Sequence, residues 1–312
     1  MADTLTTNIA ESVTELGVAT IALMPQKAPL LNLVTVKHIP KGYDRLEIPR
    51  VASTSTVQTP TEGDELVVTS QFDLTSTTIT PTSRALMVRV HERATYYSKD
   101  DVIALVSEEL AQSQAQDIDT DLSAEFANFG LTDIGATTRN LRVADMRRAR
   151  RALLEVTRAN GGPAPMPIYL VVSPMQEEML LADGGGQGLL GATSAGSEAR
   201  PIPTTTFTGM SPWIPRGMSE DIVDNYFVGR WFGIPVFRDG YIVTGTPTAS
   251  AFAGGMFAKK ALWLAISKDW DMKTFEVPNW IGVIIRSVAD YNSGVGAYTR
   301  WGVELLSNDT AP

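Results

Sequence analysis

Leu46 and Ile48 alternate with Arg45 and Glu47, and Val68, Phe72 and Leu74 alternate with Thr69, Gln71 and Asp73, so both ends of residues 42–83 carry a period of two. Between them, turn-forming residues gather at Thr59-Pro60-Thr61-Glu62-Gly63-Asp64. The pattern predicts one long hairpin of about fourteen residues per arm, roughly 45 Å at about 3.3 Å per residue. From Ala52 to Ser83 the chain holds 15 Ser or Thr, four acids (Glu62, Asp64, Glu65, Asp73) and no Lys or Arg. A two-stranded ribbon with so little apolar surface is marginal alone in water. It is expected to lie across another subunit.

Upstream, residues 1–40 read as an arm, amphipathic around Ile9, Val13, Leu16 and Ile21, broken by Pro25 and Pro29 and closed by Pro40. After the hairpin, Arg84–Arg93 reads as a strand. Ser98 then stands as an N-cap with Asp101 in the first turn. A stripe of Val102, Leu105, Val106, Leu110, Ile118, Leu122 and Phe126 keeps helical spacing up to Asn128, and Gly130 stops it. Such a helix has about thirty residues, or roughly 45 Å, and serves as a spine. A second helix spans Leu141–Thr157 and ends at Gly161-Gly162-Pro163. Then come a buried strand over Ile168–Ser173 ended by Pro174, a short helix over Gln176–Ala182, a Gly-rich loop and a Pro-rich excursion from Pro201 to Pro215. Strands at Phe227–Trp231 and Ile234–Phe237 follow, so residues 141–265 alternate helix and strand as an α/β lobe. The tail returns in strands at Trp263–Ile266, Asp271–Val277, Gly282–Tyr291 and Tyr298–Leu305. The fold class is α+β.

Composition narrows the chemistry. With 312 residues, 44% hydrophobic and 20% charged, the chain can bury a full core in one large or two modest domains. Zero Cys excludes disulfides, thiol nucleophiles and thiolate metal sites. His38 and His91 each sit in a strand-like context with no partner at ligand spacing, which gives them structural or surface roles. Met1-Ala2-Asp3-Thr4-Leu5 lacks a basic leader and Val18–Met24 is too short to span a bilayer, so neither secretion nor membrane insertion is expected. A net charge of −9 argues against a general nucleic-acid binder, although an acidic wall would repel enclosed DNA.

Three motifs suggest chemistry. Gly186, Gly188 and Gly191 satisfy G-x-G-x-x-G, but a helix precedes them where a dinucleotide site needs a strand, so the segment reads as a loop. Asp117, Asp119 and Asp121 open like a calcium loop, yet Leu122 stands where Gly is required and Asn128 where a bidentate Glu is required. They read as the acidic face of the spine helix. Arg147, Arg148, Arg150 and Arg151 concentrate positive charge on the second helix, for pairing with acids within or between subunits, for a solvated face, or for DNA contact; pairing is the reading taken. No catalytic, cofactor-binding or metal-binding residue, and no cofactor, emerges.

The order of parts, with local phrases, resembles the major capsid proteins of tailed bacteriophages, the family with the HK97 fold. The phrases are Tyr97-Ser98-Lys99-Asp100-Asp101 leading into the spine helix, Trp231-Phe232-Gly233-Ile234-Pro235-Val236-Phe237, Gly255–Leu262 and Ala297–Val303. The resemblance implies an N-terminal arm at 1–41, an extended loop at 42–83, a peripheral domain at 84–140 with 266–312, and an α/β axial domain at 141–265. It also implies hexamers and pentamers in an icosahedral virion shell around double-stranded phage DNA, assembled in the host cytoplasm without a membrane. An encapsulin shell around a cargo enzyme is the alternative. Expected partners are other copies of the chain, a portal protein and DNA contacted non-specifically. Only about forty residues precede the hairpin, so a separate scaffolding protein is expected as well. Residues 42–83 contain no Lys for the isopeptide links that some members form, so non-covalent cohesion is expected. The expected intersubunit contacts are Thr59, Pro60, Glu62, Gly63, Asp64 and Glu65 at the hairpin tip, with Arg147 and Arg151 on the second helix.

Overall fold

The computed structural model describes residues 27–51, 59, 73–91, 102–183, 226–231, 233–242, 251–276 and 282–308. In chain order these form α1 (Pro29–Leu33), β1 (Thr35–His38), β2 (Leu46–Val51), β3 (Leu74–Ile79), β4 (Thr82–His91), α2 (Val102–Ala124), β5 (Ile134–Gly135), α3 (Val143–Leu154), β6 (Ile168–Val172), α4 (Pro174–Asp183), β7 (Phe227–Trp231), β8 (Ile234–Arg238), β9 (Ala251–Ala258), β10 (Leu262–Glu276), β11 (Gly282–Val295) and β12 (Gly302–Asn308). A four-stranded sheet runs β1-β10-β11-β4, a six-stranded mixed sheet runs β5-β12-β9-β6-β8-β7, and β2 pairs only with β3.

Period-two burial explains the six-stranded sheet. Every residue of β6 is buried because both of its faces are covered. Tyr169 and Val171 join one core with Leu122, Phe126 and Phe257, while Ile168, Leu170 and Val172 join a second core with Met146, Leu153 and Leu180. The sheet is therefore sandwiched, with α2 on one side and α3 with α4 on the other.

The spine helix is described from Val102 onward and ends at Asn128, as its sequence pattern predicts. α2 has 23 residues, and a four-residue 3-10 turn, Glu125–Asn128, completes it. The Ser98 cap and Asp101 lie outside the described residues. Leu110, Ala111, Ala115, Ile118, Leu122 and Phe126 are buried as expected, but Leu105 is 56% exposed. It lies about 140° round the helix from Leu110, off the covered stripe.

Local hydrogen bonds explain other shifted boundaries. α3 starts at Val143 rather than Leu141 because the Asp145 carboxylate accepts the Arg142 backbone N–H at 3.1 Å. α4 starts at Pro174 rather than Gln176: the Ser173 hydroxyl accepts the Gln176 N–H at 3.2 Å, and Gln176 Oε1 accepts the Ser173 N–H at 3.3 Å, a reciprocal cap with Pro in the first helical position. The two strands expected at 263–277 are one strand, β10, with irregular register at Ile266–Lys268 and Lys268–Asp271. The expected strand at 298–305 begins instead with a 3-10 turn, Thr299–Trp301.

The Asp117, Asp119 and Asp121 series is not a solvated acidic face. Asp117 and Asp121, four apart, face β4 and β11, where Arg84 reaches Asp121 at 2.5 Å and Asp117 at 3.7 Å, and the Tyr291 hydroxyl donates to Asp117. Asp119, two residues from each, is driven to another side of the helix by the 3.6-residue turn and is fully buried. Neither of its oxygens has a hydrogen-bond partner by geometry among the described residues, although the Leu30 and Leu31 amides at the start of α1 act to lower its pKa.

A buried amide ties the layers together. Gln176 Nε2 donates to Leu305 O at 2.9 Å, Phe252 O at 3.1 Å and Ser307 Oγ at 3.2 Å, linking α4 to β9 and β12. Gly254 leaves the room for it, since a Cβ there would come within 2.5 Å of Gln176 Oε1 and 2.8 Å of Val171 O. Gln176→Met keeps the volume and removes every hydrogen bond of the side chain. It should cost about 2–4 kcal/mol in urea unfolding of the unassembled chain, and a loss below about 0.5 kcal/mol would contradict this role for the amide.

Buried acids make stability depend on pH. Burial pushes Asp239 up to about 6, against the Tyr241 N–H that its Oδ1 accepts at 2.8 Å, and its Oδ2 has no partner among the described residues. Burial and then the charge of Asp239 raise Asp119 well above the usual carboxylate range. Burial and then Asp133 raise Glu304 up to about 7. All three protons are held more tightly in the folded chain than in the unfolded one, so their contribution is full below about pH 4 and is lost as pH rises through about 7. The unassembled chain should be more stable at pH 5 than at pH 8. Asp239→Asn should flatten that slope by about 1.4 kcal/mol, since about one unit of its shift lies above pH 5. A stability that rises from pH 5 to pH 8 in wild type would contradict this.

Candidate intersubunit surfaces

The hairpin survives in its base. β2 and β3 pair in antiparallel register from Leu46↔Ile79 to Val51↔Leu74, which leaves equal lengths of chain on either side of the Glu62–Gly63 bond. Ile48 and Ile79 pack with Ile39, Ala265 and Ala297. The other residues of the paired base are exposed or only partly covered. Thr59 is exposed, while Pro60, Glu62, Gly63, Asp64 and Glu65 lie outside the described residues. Arg50 ties the base to the segment just after β11, donating to Ala297 O at 3.2 Å, and donates within the base to Thr75 Oγ1 at 3.2 Å.

The four arginines of α3 do not act alike. Arg148 approaches Asp145 at 3.9 Å, and Arg151 Nε donates to Glu155 at 2.8 Å one helical turn on. Arg147, Arg150 and Arg151 line an open groove of about 430 Å³ with Leu154, Glu155 and Trp231. The structure thus brings Arg147 and Arg151 together on one surface and adds Leu154, Glu155 and Trp231, which charge clustering alone could not reveal because Trp231 comes from β7. Arg151 is raised above the usual guanidinium range by its hydrogen bond to Glu155 and then by that residue's charge. Asp145 holds the near end of the helix in place. Burial acts to raise it, but Arg139, donating at 2.6 and 2.8 Å, the Arg142 amide and the charges of Arg139 and Arg148 lower it below the usual range.

No constellation for catalysis assembles among the described residues. A cleft of about 310 Å³ beside α2 is walled mainly by Leu31, Val36, Ile118, Leu264, Ile266 and Trp270. His38 at its rim lies 3.6 Å from Asp269, both largely exposed. Among the described residues no three His, Cys, Asp or Glu converge as a metal site, and no helix is long and apolar enough to cross a membrane. Gly186, Gly188 and Gly191 lie outside the described residues.

No protein-family model matches the sequence, and no curated protein does. Solved structures do match over most of the chain. The capsid of cyanophage P-SCSP1u is 15% identical, with 89% of this chain and 87% of that chain covered at a TM-score of 0.60. The head of Helicobacter pylori bacteriophage KHP40 is 14% identical, with 91% of each chain covered at 0.59. The SrpI encapsulin of Synechococcus elongatus is 7% identical, with 90% and 87% covered at 0.58. A hairpin base, a spine helix shared by two sheets and a sandwiched mixed sheet, matched over nine-tenths of the length, give this chain the HK97-like fold of the phage capsid proteins.

Proposed function

We propose that the chain is a structural shell subunit, a phage major capsid protein that joins copies of itself as hexamers and pentamers of an icosahedral virion shell around double-stranded DNA. The observation that carries this reading is a paired hairpin base with too little apolar surface to stand alone, on a fold shared with capsid proteins over nine-tenths of the chain. On this reading residues 1–41 are the arm, 42–83 the extended loop, 84–140 with 266–312 the peripheral domain and 141–265 the axial domain, with β12 lending its strand to the axial sheet. The arginine groove of α3 is a contact between neighbouring axial domains, where Arg147 and Arg151 meet acids of the next subunit. A scaffolding protein, a portal protein and DNA contacted non-specifically are its further partners, with assembly in the host cytoplasm. No reaction is assigned to the chain.

The encapsulin match supports a second reading, a compartment shell around a cargo protein. Particle contents separate the two. Double-stranded DNA in native particles supports the capsid, and a single packaged protein supports the compartment.

The purified chain, alone or with a scaffolding protein, should sediment as hexamer-sized rings or closed shells, with electron microscopy as the check. A stable monomer at micromolar concentration under every such condition would overturn the shell reading.

Replacing Thr59–Glu65 with an Asn-Gly turn should leave circular dichroism unchanged and remove most closed particles. The hairpin base itself enters only the small cluster around Ile39, Ile48 and Ile79, whereas an overlapping arm gives its contacts to a neighbour. Normal particle yield from the shortened chain would show that the tip is not an assembly element.

A further inference from the structure

Two carboxyl groups are sealed in the core around α2 with almost nothing to bind. Asp119 on α2 and Asp239, one residue past β8, are both fully buried. Neither Asp119 oxygen has a hydrogen-bond partner among the described residues, nor has Asp239 Oδ2, and only Asp239 Oδ1 is satisfied, by the Tyr241 N–H at 2.8 Å. Orphaned polar atoms at this depth are rare enough to need a reason.

Both groups lie in one place. Ile118 and Leu122, close to Asp119 on the helix, pack in the same core as Phe237 and Ile242, which flank Asp239 in sequence, and Leu30 of α1 joins them. The Asp239 N–H donates to Val172 O at 3.0 Å, which pins its backbone beside the end of β6. Asp239 stands near enough for its charge to act on Asp119, while the Leu30 and Leu31 amides act on Asp119 from α1. Residues 27–33, the spine helix and the six-stranded sheet therefore meet at this pair.

Among the described residues no cation neutralises it. The other titratable groups beside it are the phenols of Tyr226 and Tyr241, and the Tyr226 hydroxyl donates to Lys27 O at 3.3 Å. Lys27 itself turns its ammonium to Glu108 at 2.8 Å, and Arg238, next to Asp239, approaches Glu177 at 3.6 Å. On α2, Asp117 and Asp121 face Arg84 instead. Two ionised carboxylates in one dry site repel each other and lose their hydration, so such a pair keeps a proton at a pH where isolated carboxylates have lost theirs.

We propose that Asp119 and Asp239 share one proton at neutral pH, and that this proton is a tie holding residues 27–33 and the spine helix against the end of β8, released when it is lost. The acid O–H of Asp119 then donates to Asp239 Oδ2, and the amides of Leu30, Leu31 and Tyr241 face the remaining acceptor oxygens. Transfer of the proton to a buffer base leaves two carboxylates with no donor between them, and their repulsion opens the joint. Burial raises Asp239 to about 6, and burial with the Asp239 charge holds Asp119 well above the usual carboxylate range. The pair titrates as a unit, giving up its first proton near pH 6 and the shared one at higher pH. Both protons are held more tightly in the folded chain than in the unfolded one, so their stabilisation is full below about pH 4 and falls as pH rises through about 6 and beyond. The tie belongs to the single chain and does not rest on the shell reading.

The test is hydrogen–deuterium exchange on the unassembled full chain between pH 6 and pH 9, corrected for intrinsic exchange. In wild type the open fraction should rise roughly tenfold in peptides over residues 28–33 and 234–241, with peptides over α3 unchanged. Asp119→Asn keeps a donor towards Asp239 at every pH, and Asp239→Asn places the donor on the other side of the pair. Each should hold the protection flat across the range, and either one alone suffices if the other fails to fold. At pH 7.5 wild type should also show the infrared carbonyl band of a buried carboxylic acid that Asp119→Asn lacks. The same rise in wild type and in the Asn variants, or no rise in wild type, would overturn the inference. So would protection restored at pH 9 by calcium or magnesium chloride in wild type alone, which would assign the pair to a bound cation.

Discussion

One helix serves two sheets, and the rest of the fold is arranged around that demand. Towards its N-terminal end α2 lays Val106 and Leu110 on β4 and β11, and towards its C-terminal end Ile118, Leu122 and Phe126 join the core of the six-stranded sheet. A helix bends only gently, so the sheets must come to the helix. The polar residues between them make the joint specific. Arg84 binds Asp117 and Asp121 and stands 5.9 Å above the Tyr291 ring, whose hydroxyl donates to Asp117. Slippage of one turn along the helix would break all of these contacts together.

Close approach requires small residues on the facing sheet. Phe126 lies on Gly255, where an added Cβ would come to 3.1 Å of the ring, and Phe129 occupies the space above Gly302. Phe126, Phe129 and Phe257 then stack at 5.6 to 6.1 Å between centroids. The glycines of β9 and β12 are thus the recesses into which the end of the spine fits. They also explain how β12, far along the chain, is held beside β9.

Periodicity made the hairpin base, the spine helix and α3 legible in the sequence, because each has one face against a core and one towards water, and β6, buried on both faces, was legible as a short apolar run closed by Pro174. Where neither signal is present, the sequence is silent or misleading. Leu105 continues the apolar spacing but faces away, since nothing in one helix's pattern says how wide a neighbour's cover is. Asp119 reads as a surface acid and is buried. β1 is four residues with little apolar pattern, and it is a strand because β10 pairs with it in parallel. The Ser173–Gln176 cap was missed because Pro174 reads as a strand end, and the reach of Gln176 to Leu305, 129 residues away, leaves no local signal. The candidate surfaces divide similarly. Arg147 and Arg151 were visible as charge, but the groove needs Trp231 from another strand.

On the proposed shell reading, folding and assembly would draw on different residues. The two large cores take α1, α2, α3, α4 and both larger sheets, while the hairpin base enters only a small cluster around Ile39, Ile48 and Ile79. A subunit can therefore bury its main apolar area before the hairpin has found a surface. What the sequence offers over residues 52–72 is hydroxyls, carboxylates and a few β-branched side chains. Weak contacts of this kind, each roughly 0.2–1 kcal/mol, do not hold one pair of subunits. On the same reading a closed shell would repeat them at every boundary, so that the completed lattice could be stable while each step of its growth stayed reversible.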